Sequence, residues 1–209
     1  MLADLTVKDF LDKVACSDPV PGGGSIAALN GAIASALAAM VANLTIGKKG
    51  YELHEELMRH ISGVALQQKG AFVEDIDRDS EAYDKVFACF KMPKATDEEK
   101  AARSTAIQEA TKFAALVPMQ VARNAYELMT VIMDVARLGN RNAVTDACVA
   151  MMSARSAVLG ALMNVRINLG SLKDKEFVSK LQSEADELEH LACAKEKELL
   201  DEINQELKV

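Results

Sequence analysis

Two short stretches carry residues able to act on a ligand. In Pro19-Val20-Pro21-Gly22-Gly23-Gly24-Ser25, glycines precede a long uncharged segment. At the head of a helix such a loop leaves backbone N–H groups free, and the helix dipole adds positive potential there. A phosphate or carboxylate suits that environment, although a tight turn that lets two helices approach explains the same residues. The loop is not a nucleotide P-loop, because Gly-Lys-Ser/Thr is absent, and no strand precedes it for a dinucleotide fold.

The second stretch is the acidic run Asp75, Asp77, Asp79, Glu81 and Asp84, set against the apolar stripe Phe72, Val73, Ile76, Ser80, Tyr83 and Phe87. On a helical period Asp77 and Asp79 flank that stripe on opposite sides, while Asp75 and Glu81 point outward. A carboxylate at the edge of an apolar face is partly desolvated, which raises its pKa and suits it to general acid or base work. A solvated acidic face is the plainer explanation. In Gly139-Asn140-Arg141-Asn142-Ala143-Val144-Thr145-Asp146, Asn142 can cap the following helix and Asp146 falls in its first turns. Asn164, Arg166 and Asn168 are polar among apolar neighbours, able to bind a heteroaromatic ligand or a partner helix. A metal centre is not expected: Glu187 and His190 have one carboxylate–histidine spacing of the di-iron type, and such sites need two.

These residues need helices to hold them. Half of the 209 residues are hydrophobic but only 4% are aromatic, and the apolar mass is Ala, Leu, Val and Met, all compatible with helix. With 4 Pro and 11 Gly there are few turns for a many-stranded sheet. The pattern predicts an all-α, single-domain bundle (1–209) of six to eight helices, several of them long. Thr6 opens a short amphipathic helix. An uncharged Ala-rich helix follows Ser25 and, with small residues on several faces, is expected to be central. A long helix runs from about Tyr51 to Phe90 by the apolar period. Thr96 and Glu99 form a capping box for a stretch reaching about Leu138, which Pro118 should kink or divide. Helix resumes from Ala143 to Asn168, and a last one from roughly Lys173 to Leu207 has a heptad-like seam (Leu181, Leu188, Leu191, Leu199, Ile203).

Net charge is −7 with no Lys/Arg-rich run, which argues against nucleic acid as a partner. Ser25 to Gly47 is long enough to span a bilayer but weak in apolar drive, so a buried bundle helix is expected rather than a membrane span. Charges break up the N-terminus, so no signal peptide is expected. Cys16, Cys89, Cys148 and Cys193 are widely spaced in apolar helical contexts and read as buried reduced thiols, pointing to a cytoplasmic setting.

Six ordered blocks resemble the formiminotetrahydrofolate cyclodeaminase and methenyltetrahydrofolate cyclohydrolase family. They are Leu5-Thr6-Val7-x-x-Phe10-Leu11; Pro21-Gly22-Gly23-Gly24-Ser25-x-Ala27-Ala28; Met40 to Lys49; Asp77-x-Asp79-x-Glu81-Ala82 with Lys91-Met92-Pro93-Lys94; Gly139-Asn140-x-Asn142-Ala143-x-x-Asp146; and Asn164-Val165-x-Ile167-Asn168-Leu169. The resemblance covers roughly Leu5 to Phe177. It implies an all-helical homodimer acting on a tetrahydrofolate derivative, without metal or other cofactor. It also implies a module that works without the formiminotransferase domain of animal enzymes.

In that family the aspartate matching Asp79 is the catalytic candidate and the glycine loop lies by the folate. By the same resemblance Pro21, Gly22, Gly23, Gly24, Ser25, Lys48, Lys49, Asp77, Asn140, Asn142, Asp146, Arg166 and Asn168 are candidate substrate-binding residues. Lys48, Lys49 and the glycine amides are the expected partners of the glutamate tail. The implied reaction converts 5-formiminotetrahydrofolate to 5,10-methenyltetrahydrofolate with release of ammonia. The rival within the family is hydrolysis of the methenyl bridge. A rival of another class is a non-catalytic helical adaptor that uses the last helix as a coiled-coil arm.

Overall fold

A computed structural model describes residues 1–207, and their regular structure is entirely helical. The helices are α1 (Val7–Val14), α2 (Gly23–Asn43), α3 (Glu55–Phe90), α4 (Asp97–Leu138), α5 (Val144–Leu169) and α6 (Lys175–Glu206), with single 3-10 turns at Leu2–Asp4, Glu52–His54 and Arg141–Ala143. Side-chain caps set several starts. Thr6 accepts from the Asp9 N–H, Thr96 and Glu99 form the reciprocal capping box, and Asp174 accepts from Phe177. Each satisfies a backbone donor that the first turn leaves free.

The long helices alternate in direction. Ser25 meets Ile76 while Asn43 meets Ser62, so α2 and α3 run antiparallel. Gly23 and Ala27 of α2 face Asn164 and Gly160 of α5, again antiparallel. Small residues make this possible. A side chain on Gly31 would overlap the Phe72 ring, which is fully buried against α2. Ala27, Ala28, Ala34, Ala38, Ala39 and Ala42 are buried on several faces of α2, which packs against α3, α4 and α5. The uncharged helix is thus a core element of the bundle.

Helix α6 lies on the outside, parallel to α4. Arg123–Glu184, Lys195–Thr130 and Arg137–Glu202 tie the two together in register. Its seam residues Leu181, Leu199 and Ile203 are buried on this chain's own bundle, so they do not form a free coiled-coil arm.

Three expectations change. Pro118 does not divide α4, which is one helix from Asp97 to Leu138. Proline removes the N–H that would bond the carbonyl four residues earlier. Here that carbonyl, Ala114 O, accepts instead from Asn168 Nδ2 of α5 at 3.0 Å. Asp75, expected outward, is 5% exposed, because α3 is covered by both α2 and α4 and buries a wider arc than its apolar stripe. Of the cysteines only Cys148 is buried; Cys16 lies in the turn after α1, Cys193 on the outer face of α6, and both are exposed.

Candidate active site

The glycine loop enters α2 at Gly23, directly after a cis Val20–Pro21 peptide. The second half of α3 crosses this helix start. Ser25 is buried and its hydroxyl donates to Ile76 O at 2.8 Å, pinning the two elements together. Asp79, one turn further along α3, lies against the Gly24 backbone so closely that a β-carbon on Gly24 would overlap its carboxylate. Glycine is needed there for the approach of a functional group, since Gly24 itself has an ordinary helical place.

Burial pushes the Asp79 carboxyl above the usual carboxylate range. The Ser25 backbone N–H at the head of α2 works against this, and the neighbouring charge of Asp75 adds to it. Asp75 is itself raised by burial, with Arg78 at 3.5 Å opposing. Such a carboxyl can hold a proton closer to neutrality than an exposed one and return it under the same conditions, as an acid–base catalyst must.

Asp79 opens into a cavity of about 300 Å³. Gly22 and Gly23 form one side, Ala82, Tyr83 and Val86 of α3 another, and Asn164, Ile167 and Asn168 of α5 the wall across from them. Pro19 and Val20 close one end and separate it from a second groove of about 500 Å³, which carries Asp77, Glu81, Asp84 and Phe87. Among the described residues no three His, Cys, Asp or Glu side chains converge as metal ligands.

Of the residues singled out from sequence, the fold gathers Pro21 to Ser25, Asp79 and Asn168 at this end. Asp77 turns away from the cavity and accepts from the Leu2 backbone N–H at 2.6 Å, docking the N-terminal turn. Arg166 faces α6, where it pairs with Asp186 and Glu189. Lys48, Lys49, Asn140, Asn142 and Asp146 cluster at the other end of α2, about 30 Å away at the helical rise per residue. There Lys48 Nζ donates to Asn140 Oδ1 at 2.7 Å, and the Asn140 N–H donates to Thr45 Oγ1 at 2.8 Å. The lysines sit in a turn whose glycines, Gly47 at φ 72° and Gly50 at φ 91°, adopt the left-handed region.

The chain matches the family described as formiminotransferase-cyclodeaminase over residues 6–187. It belongs to that family. Methenyltetrahydrofolate cyclohydrolase of Methylorubrum extorquens is 40% identical over 192 residues, covering 90% of each chain. The formimidoyltransferase-cyclodeaminase of Rattus norvegicus is 31% identical over 179 residues, 86% of this chain but 33% of that one. This chain therefore spans about a third of the length of such animal relatives. The crystal structure of formiminotetrahydrofolate cyclodeaminase from Thermotoga maritima superposes with a TM-score of 0.83 at 32% identity, over 97% of this chain and 99% of that one. The family supports an enzyme acting on folates.

The cavity also contains residues outside the candidate catalytic and substrate-binding set. Ala82 and Val86 line it because they lie one and two turns beyond Asp79 on α3. Asn164 stands in a family block and is polar among apolar neighbours; the signal for its wall is Gly23, whose missing side chain leaves Asn164 Nδ2 room at 3.3 Å from the β-carbon position.

Proposed function

We propose that the chain is a formiminotetrahydrofolate cyclodeaminase. The observation that carries this reading is the desolvated carboxyl of Asp79 at the rim of the cavity beside the head of α2. N10 of the substrate attacks the carbon of the protonated formimino group, a tetrahedral centre bearing an amine forms, and ammonia leaves once that amine gains one further proton. Holding N10 against that carbon is the largest single aid to ring closure. Asp79 takes the proton that N10 loses and delivers it to the leaving nitrogen, so one carboxyl serves both transfers.

The 40% identity with the Methylorubrum protein favours a second reading, methenyltetrahydrofolate cyclohydrolase. The same carboxyl would then deprotonate water attacking the methenyl carbon. Methenyltetrahydrofolate absorbance separates the two: growth from 5-formiminotetrahydrofolate with ammonia release supports the deaminase, and decay from the methenyl compound alone supports the hydrolase. Failure of both reactions would sink the enzyme reading.

We also propose a homodimer. Ile33 and Met40 of α2, Leu44 just past its end, and Val149, Met152, Met163 and Ile167 of α5 are all more than a third exposed, on helices that pack side by side. A two-fold axis across such a face would set the lysine end of one chain beside the cavity of its partner, where Lys48 and Lys49 could meet a glutamate tail. Met152→Glu should convert the dimer to monomer in light scattering; an unchanged mass would place the interface elsewhere.

A further inference from the structure

Resting on the folate reading, we infer that Asn164 and Asn168 form a wall with two fixed acceptors. This wall takes the N8–H and 2-amino edge of a reduced pterin and leaves the opposite edge, with N5, to face Asp79. The two asparagines stand one helical turn apart on α5 and line the cavity across from α3. Both N–H bonds of the Asn168 amide are committed: Nδ2 donates to Ala114 O at 3.0 Å and to Asn164 O at 2.9 Å. Asn164 Nδ2 donates to Gly160 O at 2.9 Å. Backbone carbonyls accept only, so neither amide can turn its oxygen toward them, and the orientation of both groups is fixed. Among the described residues neither Oδ1 receives a hydrogen bond, which leaves two unpaired acceptors on residues that line the cavity.

The anchoring is not accidental to the helix beneath it. Ala114 O is free because Pro118 has no N–H to offer it. Asn168 supplies the donor that the proline withholds, so its amide is held by a carbonyl with no competing backbone N–H.

The ring that matches two acceptors must present two donors along one edge. A pterin reduced at N8 does so with N8–H and the 2-amino group, on the side away from N5. A fully oxidised pterin has a bare lone pair at N8 and would set it against an asparagine oxygen. A site built around a hydrogen bond rejects the analogue that cannot make it far more strongly than an apolar pocket could. Asn164 and Asn168 are thus positioning residues that also sense the oxidation state of the ring.

Titration calorimetry with 7,8-dihydrofolate and folic acid tests this, because the two differ at C7 and N8 and share the rest. Wild type should bind dihydrofolate about tenfold or more tightly. Asn168→Leu and Asn164→Leu should each bring the ratio towards one. The ratio of two dissociation constants from one preparation does not depend on the folded fraction, so a partly unfolded variant still reports. Equal affinities in wild type, or a ratio unmoved in both variants, overturn the inference. If turnover of a tetrahydrofolate substrate persists alongside equal affinities, the substrate reading stands without it. If neither compound binds, the inference falls, and the absence of turnover would take the folate reading with it.

Discussion

The two ends of α2 hold similar residues and use them differently. At the lysine end, Lys48, Asn140 and Thr45 bond one another and the carbonyls of Leu44 and Val41, so their polar atoms close a network that joins α2 to the start of α5. At the glycine end, Asn164 and Asn168 are held by backbone carbonyls and line a cavity together with Asp79, and neither amide oxygen receives a hydrogen bond among the described residues. Polar residue type does not separate a site from a joint. Unused hydrogen-bonding capacity does, and it is a property of the packed state.

The sharpest way to break this comparison is Asp79→Asn. Turnover should fall by about 10²–10⁴-fold, the usual worth of a positioned acid–base group, with little change in substrate affinity. The same substitution should stabilise the fold at neutral pH. A carboxyl whose folded pKa is raised contributes its stability below the unfolded value and loses it as the pH rises through the folded one. The melting temperature of wild type should therefore fall relative to the variant between mildly acidic and neutral buffer. A parallel pair of curves would show that Asp79 is not desolvated.

Gly24→Ala comes next. Alanine favours helix, so α2 should keep its stability, but the new methyl displaces the Asp79 carboxylate. Turnover should drop by about a hundredfold through misplacement alone. Thr45→Val probes the other end. It preserves shape, leaves the Asn140 N–H without its buried acceptor, and should cost about 1–3 kcal/mol in denaturant unfolding with turnover per folded molecule unchanged. The smallest expected effect is Lys49→Ala, which should raise KM for a polyglutamated substrate a few-fold, as loss of one exposed charge does. No change would mark the lysine end as a joint only; a large one would make it part of the site.

Much of this was legible in the sequence. Thr96 with Glu99, the small residues of α2 and the apolar periods gave the helices, because those signals are local. The motif blocks brought Gly24 and Asp79 forward together although they are far apart in the chain. What could not be read was which side of α3 the bundle covers. A single apolar stripe places Asp75 outward, whereas two neighbours bury that helix. Nor could spacing show that Lys48 and Asp79 sit at opposite ends of α2, since that depends on the antiparallel return of α3.

Pro118 and Asn168 lie fifty positions apart and touch no common ligand through Pro118, yet they share one carbonyl. That makes them a unit of inheritance. In a lineage where position 118 regains an amide hydrogen, the asparagine loses half its reason to remain; where the asparagine is lost first, the proline becomes a defect open to repair. Across relatives the two positions should change together, and a chain carrying only one of the pair would be an intermediate on the way to losing the other.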